Sequence, residues 1–218
     1  MKKQIFALSS MVMIAGVLTF TSCSKEDITA PVITVAGGNS VAHVLNASFT
    51  APAATASDDE DGDLSTSVSV TGTVNENLAG AYTLTYTVSD AAGNTATETV
   101  TVTVANSADY LVGAYTNAYD TCQSQVGGYF DASISSDAAV NGKIGITGFG
   151  AFGNTITVIA TVSGSTMSFQ GSQPLGGSAS LITAQGTITN MSDPTFTVAY
   201  TWTDGSSTEV CTSTYNHD

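Results

Sequence analysis

Residues 81–88 read Ala-Tyr-Thr-Leu-Thr-Tyr-Thr-Val, apolar and hydroxylated side chains in strict alternation from Tyr82 onward. A period of two places Tyr82, Leu84, Tyr86 and Val88 on one face of an extended chain and the threonines on the other, which a helix cannot do. The pattern resumes over 99–104 after Ser89-Asp90-Ala91-Ala92-Gly93-Asn94. The two runs predict a hairpin with one buried and one hydroxylated face. Phe196, Val198, Tyr200 and Trp202 alternate in the same way with Thr195, Thr197, Ala199 and Thr201, and so do Ile156, Val158, Ala160 and Val162 with their neighbours. Threonine and valine at such positions suit a pleated, half-buried surface. Beyond the first 20 residues there is no helical periodicity, so an all-β body is expected.

Charge narrows the function. The chain has 18 Asp and Glu against 4 Lys and Arg, for a net charge of -14. Lys2 and Lys3 lie at the extreme N-terminus, which leaves only Lys25 and Lys143. Such a surface cannot neutralise phosphates and release their counterions, so nucleic acid is excluded as a partner. Calcium, a cationic partner or simple solubility is compatible with it.

Met1-Lys2-Lys3 followed by an apolar run from Ile5 to Phe20 has the order of a secretory signal peptide, here 1–22. The run is short for a bilayer span. A buried N-terminal strand or helix is the competing reading. Phe20-Thr21-Ser22-Cys23 resembles the lipobox of bacterial lipoproteins, with Phe where Leu is commoner. That resemblance implies a diacylglycerol on Cys23, an acylated amine, and a lipidated tether over 23–28. Several acyl chains would hold the protein firmly on a membrane. Glu26 and Asp27, behind Lys25, look like the export tags of surface lipoproteins in the Bacteroidetes. The implied location is the outer membrane, lipid-anchored and facing the exterior.

Residues 29–105 carry Thr29 to Val35, the acidic Asp58 to Asp63, the strand start Gly80-Ala81-Tyr82 and the turn Asp90-Ala91-Ala92-Gly93-Asn94. In that order they resemble bacterial Ig-like domains of the hyaline-repeat and crystal-toxin-associated type. The resemblance implies a sandwich of about seven short antiparallel strands, used as a spacer or adhesive module rather than as an enzyme. Within Ser-Asp-Asp-Glu-Asp-Gly-Asp, Asp59, Asp61 and Gly62 fall at EF-hand spacing, but Val68 stands where the bidentate Glu is required. An EF-hand is therefore absent. Asp58, Asp59, Asp61 and Asp63 remain candidates for a looser calcium site with Asp90 or Asn94. The simpler reading is a solvated turn whose acids keep a sheet edge soluble.

Asn106-Ser107-Ala108 reads as a short linker to a second unit over 108–218. Eight strands are expected there, near 113–119, 129–135, 142–148, 155–162, 165–170, 179–188, 194–203 and 207–215. Short Gly-containing links make them consecutive hairpins. Such a meander must remove its edges, so a small or flattened β-barrel is expected, with a second sandwich as the alternative. Cys122 follows the first of these strands and Cys211 lies in the last, which closure would make neighbours. With Cys23 lipidated, these two are left to pair in an oxidising compartment. Two reduced thiols are the alternative. Gly113-Ala114-Tyr115, Ile144 to Gly150 and Cys211 to Tyr215 resemble the second domain of a group of Bacteroidetes lipoproteins, some associated with glycan uptake.

Catalytic chemistry finds little support. The two histidines are His43, in the Ig-like unit, and His217, next to the end and read as a frayed terminus. No nucleophile elbow, zinc spacing or phosphate loop occurs. Asp120, Asp131, Asp137, Asp193, Asp204 and Glu209 read as turn acids. No cofactor other than calcium is expected. A binding function would rest on aromatics: Tyr115, Tyr119, Tyr129, Phe149 and Phe152 are candidates for a barrel-mouth or loop patch. Trp202, the single Trp, reads first as core and second as part of that patch. The expected function is a non-enzymatic surface lipoprotein that binds extracellular glycan. The alternative is a spacer or adhesin-like subunit with a surface-protein partner.

Overall fold

A computed structural model describes residues 26–218; the expected signal peptide and the lipidation point Cys23 lie outside the described residues. Seven strands come first: β1 (Val32–Val35), β2 (Ser40–Val44), β3 (Ala54–Asp58), β4 (Gly62–Asp63), β5 (Ser69–Thr71), β6 (Gly80–Ser89) and β7 (Thr95–Ala105). β1-β3-β4 form one sheet and β2-β7-β6-β5 the other. They enclose Val35, Leu45, Leu84, Tyr86, Val100, Val102 and Val104. The expected hairpin is β6–β7, with Leu84 opposite Val100 and Tyr82 opposite Val102. Burial of this one face is the main force holding the sandwich. Tyr86 is fully buried and satisfies its hydroxyl on the Pro52 carbonyl at 2.8 Å.

One expectation fails in this unit. β2 runs parallel to β7, with Val41 opposite Val102, so the strands are not all antiparallel. After β1 the chain turns through Gly37 and Gly38, both at positive φ, and crosses to the other sheet. There it lies along the free edge of β7, and the short crossover sets its direction.

Nine strands follow: β8 (Gly113–Cys122), β9 (Gly128–Ser136), β10 (Lys143–Thr147), β11 (Thr157–Ser163), β12 (Thr166–Phe169), β13 (Gln173–Gly176), β14 (Ala179–Asn190), β15 (Thr195–Thr203) and β16 (Thr208–Asn216). Their order is β12-β11-β10-β9-β8-β16-β15-β14-β13, and β12 also pairs with β14. Eight strands thus close an antiparallel barrel, as expected, and β13 sits outside the ring on β14. Pro174 in β13 opposes Ser180, an edge position where a missing N–H is tolerated.

The interior is filled. Phe196 stacks on Tyr215 at 4.4 Å, and Tyr115 meets Phe196 edge-on at 5.3 Å. The disulfide Cys122–Cys211 joins β8 to β16 at a directly opposed pair.

Residues 106–108 are a bracket rather than a loose linker. The Asn106 side chain is buried; its Nδ2 donates to the carbonyls of Asp137, Val140 and Lys143 at 2.9, 3.1 and 3.2 Å. Its Oδ1 accepts the N–H groups of Ala108 and Gly142 at 3.0 and 2.8 Å. The same loop, 137–142, reaches the sandwich. The Asn141 N–H donates to Asn46 Oδ1 at 2.8 Å, and the Ala79 N–H donates to the Ala138 carbonyl at 2.7 Å. The C-terminus is docked, not frayed: the His217 N–H donates to the Pro194 carbonyl at 3.1 Å, and its ring packs edge-on against Tyr115 at 5.1 Å.

Candidate functional site at the barrel mouth

β8, β10 and β15 all start at the end of the barrel beside Asn106 and run away from it. The far pole is therefore formed by Cys122, the loop 148–156 and Trp202. There Phe152 and Trp202 meet edge-on, with ring centroids 5.1 Å apart and planes at 80°. Both are half-buried. They line a cleft of about 260 Å³ together with Asp120, Cys122, Val126 and Gly150. Val126, at the lip, is 99% exposed. The Trp202 indole N–H is enclosed and donates to nothing among the described residues, an unusual state for a buried donor.

Asp120 forms the polar floor. It is buried, and accepts the Tyr200 hydroxyl on Oδ2 and the Ser213 hydroxyl on Oδ1, each at 2.8 Å. Burial pushes its carboxyl above the ordinary value; bonds from Ser213, Tyr200 and the Thr121 N–H pull the other way without cancelling it. Burial, reinforced by the Asp120 charge, drives the Tyr200 phenol upward as well.

The loop behind the cleft depends on glycine. Gly148 and Gly150 have φ of 81° and 58°, and an added Cβ would strike the Asp131 carbonyl at the first and the Tyr200 hydroxyl at the second. Ala151 shares the left-handed region at φ 61°, an unfavourable conformation for a residue with a Cβ. On the other side of Ala151 a second cleft, of about 250 Å³, is lined by Tyr129, Phe130, Asp131 and Asn154. Tyr129 is 75% exposed and packs against Tyr119, 37% exposed, at 4.9 Å.

Of the expected aromatic patch, Tyr119, Tyr129, Phe152 and Trp202 are thus gathered at or near one end of the barrel. Tyr115 and Phe149 are not: both are fully buried in the core. Tyr115 donates its hydroxyl to the Leu111 carbonyl at 2.9 Å, and Phe149 packs against Tyr200 at 4.9 Å. Reading Trp202 as core is corrected to a half-buried rim position. Asp120 is the residue sequence reasoning missed, having been read as a turn acid. Larger hollows of about 430 Å³ exist on the wall, one lined by Ser168, Thr183, Gln185 and Thr201 among others. Phe169, Ala184, Ala199, Tyr200 and Val210 complete that hollow, so its lining is mixed polar and apolar; the Phe152–Trp202 ring pair is at the mouth.

The acidic candidates at the opposite end of the molecule do not act as one group. Asp59, Asp61 and Asp63 are exposed. Asp61 Oδ2 accepts the Ala91 N–H at 2.6 Å, and Asp63 Oδ1 accepts the Ser65 N–H at 3.0 Å. Ser65's hydroxyl, followed by its N–H, holds the Asp63 carboxyl below its usual value. Asp58 and Asp90 do approach each other, and the third carboxylate beside them is Asp27.

Among solved structures, a lipoprotein of Bacteroides thetaiotaomicron is 21% identical, covers 85% of this chain and 100% of its own, and has a TM-score of 0.38. A Clostridium perfringens structure of a carbohydrate-binding module in complex with GlcNAc and INT domains is 17% identical over 78% of this chain and 29% of its own, with a TM-score of 0.30. A protein of unknown function from Nostoc punctiforme is 17% identical over 69% of this chain and 66% of its own, at a TM-score of 0.31. At these TM-scores the likeness fixes neither a fold nor an activity for this chain. No curated protein matches it. Residues 33–104, which contain β2 to β6 and most of β1 and β7, match the family described as bacterial surface protein, Ig-like domain.

Proposed function

We propose that this chain is a non-enzymatic, lipid-anchored surface protein whose barrel mouth binds extracellular glycan. The observation that carries the reading is the convergence of Phe152 and Trp202 on one cleft, with exposed Tyr129 across the Ala151 loop. Sugar rings present apolar C–H faces edged by hydroxyls, and such a ligand suits aromatic walls above a carboxylate that accepts hydrogen bonds. Asp120 and Asp131 line the two clefts, and the only lysine or arginine among the described residues, Lys143, lies on β10's first position at the opposite end. Uronates and other anionic sugars are therefore disfavoured, and neutral glycans are the class expected. The Ig-like match over 33–104 supports a surface location. Incorporation of labelled palmitate, lost in Cys23→Ala, tests the anchor.

The binding test is affinity electrophoresis and a glycan array on the full chain. Trp202→Ala and Phe152→Ala should each weaken binding about tenfold or more, as truncation of a buried aromatic anchor does. Val70→Ser, on the exposed wall of the sandwich, should leave it unchanged. Undiminished binding by both mouth variants, or no binding of any glycan by the unaltered chain, would refute the reading. A second reading, a rigid spacer, is favoured by one observation: the bonds from loop 137–142 to Asn46, Ala79 and Asn106 fix the barrel on the sandwich.

A further inference from the structure

β6 and β7 meet the barrel at Gly80 and Ala105, so the Ser89–Asn94 turn lies at the pole of the sandwich that faces away from it. The β3–β4 turn and the segment before β1 converge on the same pole. One carboxylate oxygen from each of Asp27, Asp58 and Asp90 lies within 4.8 Å of the other two. Asp90 is 8% exposed, and Asn94 holds both its oxygens, through its N–H to Oδ1 and its side-chain amide to Oδ2, each at 2.8 Å. That amide also donates to the Asp27 carbonyl at 3.1 Å. Asp58 Oδ1 accepts the N–H groups of Glu60 and Asp61 at 3.0 and 3.1 Å.

The informative atom is Asp58 Oδ2. It is enclosed and accepts no hydrogen bond among the described residues. A buried carboxylate oxygen without a donor is costly, and two further carboxylates alongside make it more so unless a cation sits among them. Lys143, the only lysine or arginine among the described residues, is bound to Asp137 at 2.8 Å and cannot serve.

We propose that Asp27, Asp58 and Asp90 form a calcium site that pins the tether to the sandwich. Three carboxylates are hard oxygen ligands, and their origin in three separate loops suits the tolerant coordination of calcium better than the strict octahedron of magnesium. The site differs from the Asp58–Asp63 cluster that spacing suggests, because Asp59, Asp61 and Asp63 face solvent and the missing ligand comes from before β1. Since Asp27 precedes the first strand, binding fixes the direction in which the chain leaves the domain.

The test uses calcium alone as the probe on the full chain. Isothermal titration should give one ion per chain, in the range of about 10⁻⁴–10⁻³ M usual for extracellular modules. Asp27→Asn and Asp58→Asn should each weaken binding at least tenfold. Asp27 lies outside every strand, so its variant keeps the fold, and Asn at 58 retains the oxygen that caps residues 60 and 61. Amide exchange over 27–31 should slow on adding calcium and revert with a chelator. No binding up to ~5 mM, or equal binding by Asp27→Asn and the unaltered chain, would overturn the proposal.

Discussion

Replacing both Cys122 and Cys211 by alanine should lower the barrel's melting temperature by up to about 20 °C. The bridged positions are 89 residues apart in sequence. Closing a loop of that length removes denatured-state entropy equivalent to about 4.6 kcal/mol in the chain-entropy model. A barrel unit of roughly 110 residues melts with an entropy near 0.23 kcal/mol per kelvin, and the quotient gives the shift. Its location makes the full effect expected. The β8–β16 seam is registered through four residue pairs, from Cys211 opposite Cys122 to Thr214 opposite Tyr119. β15 and β16 are held over nine. The seam is thus a weakly zipped part of the ring, and without the bridge the unfolded chain has nothing to keep its ends together. Differential scanning calorimetry of the full chain reads the effect, because the sandwich over 33–104 contains no cysteine and its transition is an internal reference. The unaltered protein under a reducing agent should match the double variant. A fall of less than about 5 °C, or an equal fall in the sandwich transition, would refute the loop-entropy reasoning.

Asn106→Ala strips the bracket between the units. It leaves the N–H groups of Ala108 and Gly142 and the Asp137 carbonyl without partners, while the Val140 and Lys143 carbonyls keep the N–H groups of Lys143 and Asp137. About 3 kcal/mol should therefore be lost, read as a shift in urea midpoint; a loss below about 1 kcal/mol would show that solvent replaces the amide. Asp120 gives a pH signature. Its carboxyl is raised in the folded chain, so the fold gains from protonation there. That gain is full below the unfolded carboxyl value and is lost as pH rises through the folded value. Asp63, Asp137 and Asp204, held low by bonds from serines, Lys143 and backbone N–H groups, act with the opposite sign. The comparison must therefore be with Asp120→Asn: the melting temperature of the variant minus that of the unaltered chain should climb as pH rises from the ordinary carboxyl value through the raised folded one, and a flat difference would refute the assignment.

The alternation in 81–88 and 195–203 carries most of the fold, because a period of two survives any choice of partner strand. Where it misleads, one extra residue is responsible. In β8, Tyr115 pairs with Ala132 and Ala118 with Phe130, so Thr116 and Asn117 together face Asp131. The bulge has Asn117 at φ 53°, with its N–H on Asp131 Oδ1 at 3.2 Å and the Thr116 N–H on Asp218 Oδ1 at 3.2 Å. Past it the inward parity switches from odd to even. Without the switch, Tyr119 would share the core with Tyr115 and Asp120 would face water. With it, Tyr119 is exposed beside Tyr129 and Asp120 becomes the floor of the mouth. Asn117, tolerant of the left-handed region, is the one local signal in the sequence, and it needs Asp131 and Asp218 to be read. Asp27 was illegible for a related reason: nothing in the tether's pattern says which loop it will meet 31 and 63 residues later.

Chain direction turns these local results into a polarity. β6 and β7 link the tether pole, at Ser89 and Thr95, to the junction, at Gly80 and Ala105. β8 and β15 link the junction to the mouth, at Cys122 and Trp202. Two runs of ten residues at about 3.3 Å each, shortened by barrel tilt, allow the mouth and the tether pole to stand at most about 60 Å apart. The bonds of Asn46, Asn106 and Asn141 hold the middle of that span, and the Asp27, Asp58 and Asp90 cluster would hold its base. A glycan cleft gains from such an arrangement only if it points away from the surface that carries it. The same geometry therefore links the two proposals: calcium should not alter affinity for a soluble glycan, but should increase capture of an immobilised one by the membrane-anchored chain. Equal capture with and without calcium, alongside demonstrated ion binding, would separate the base of the stalk from the function of its tip.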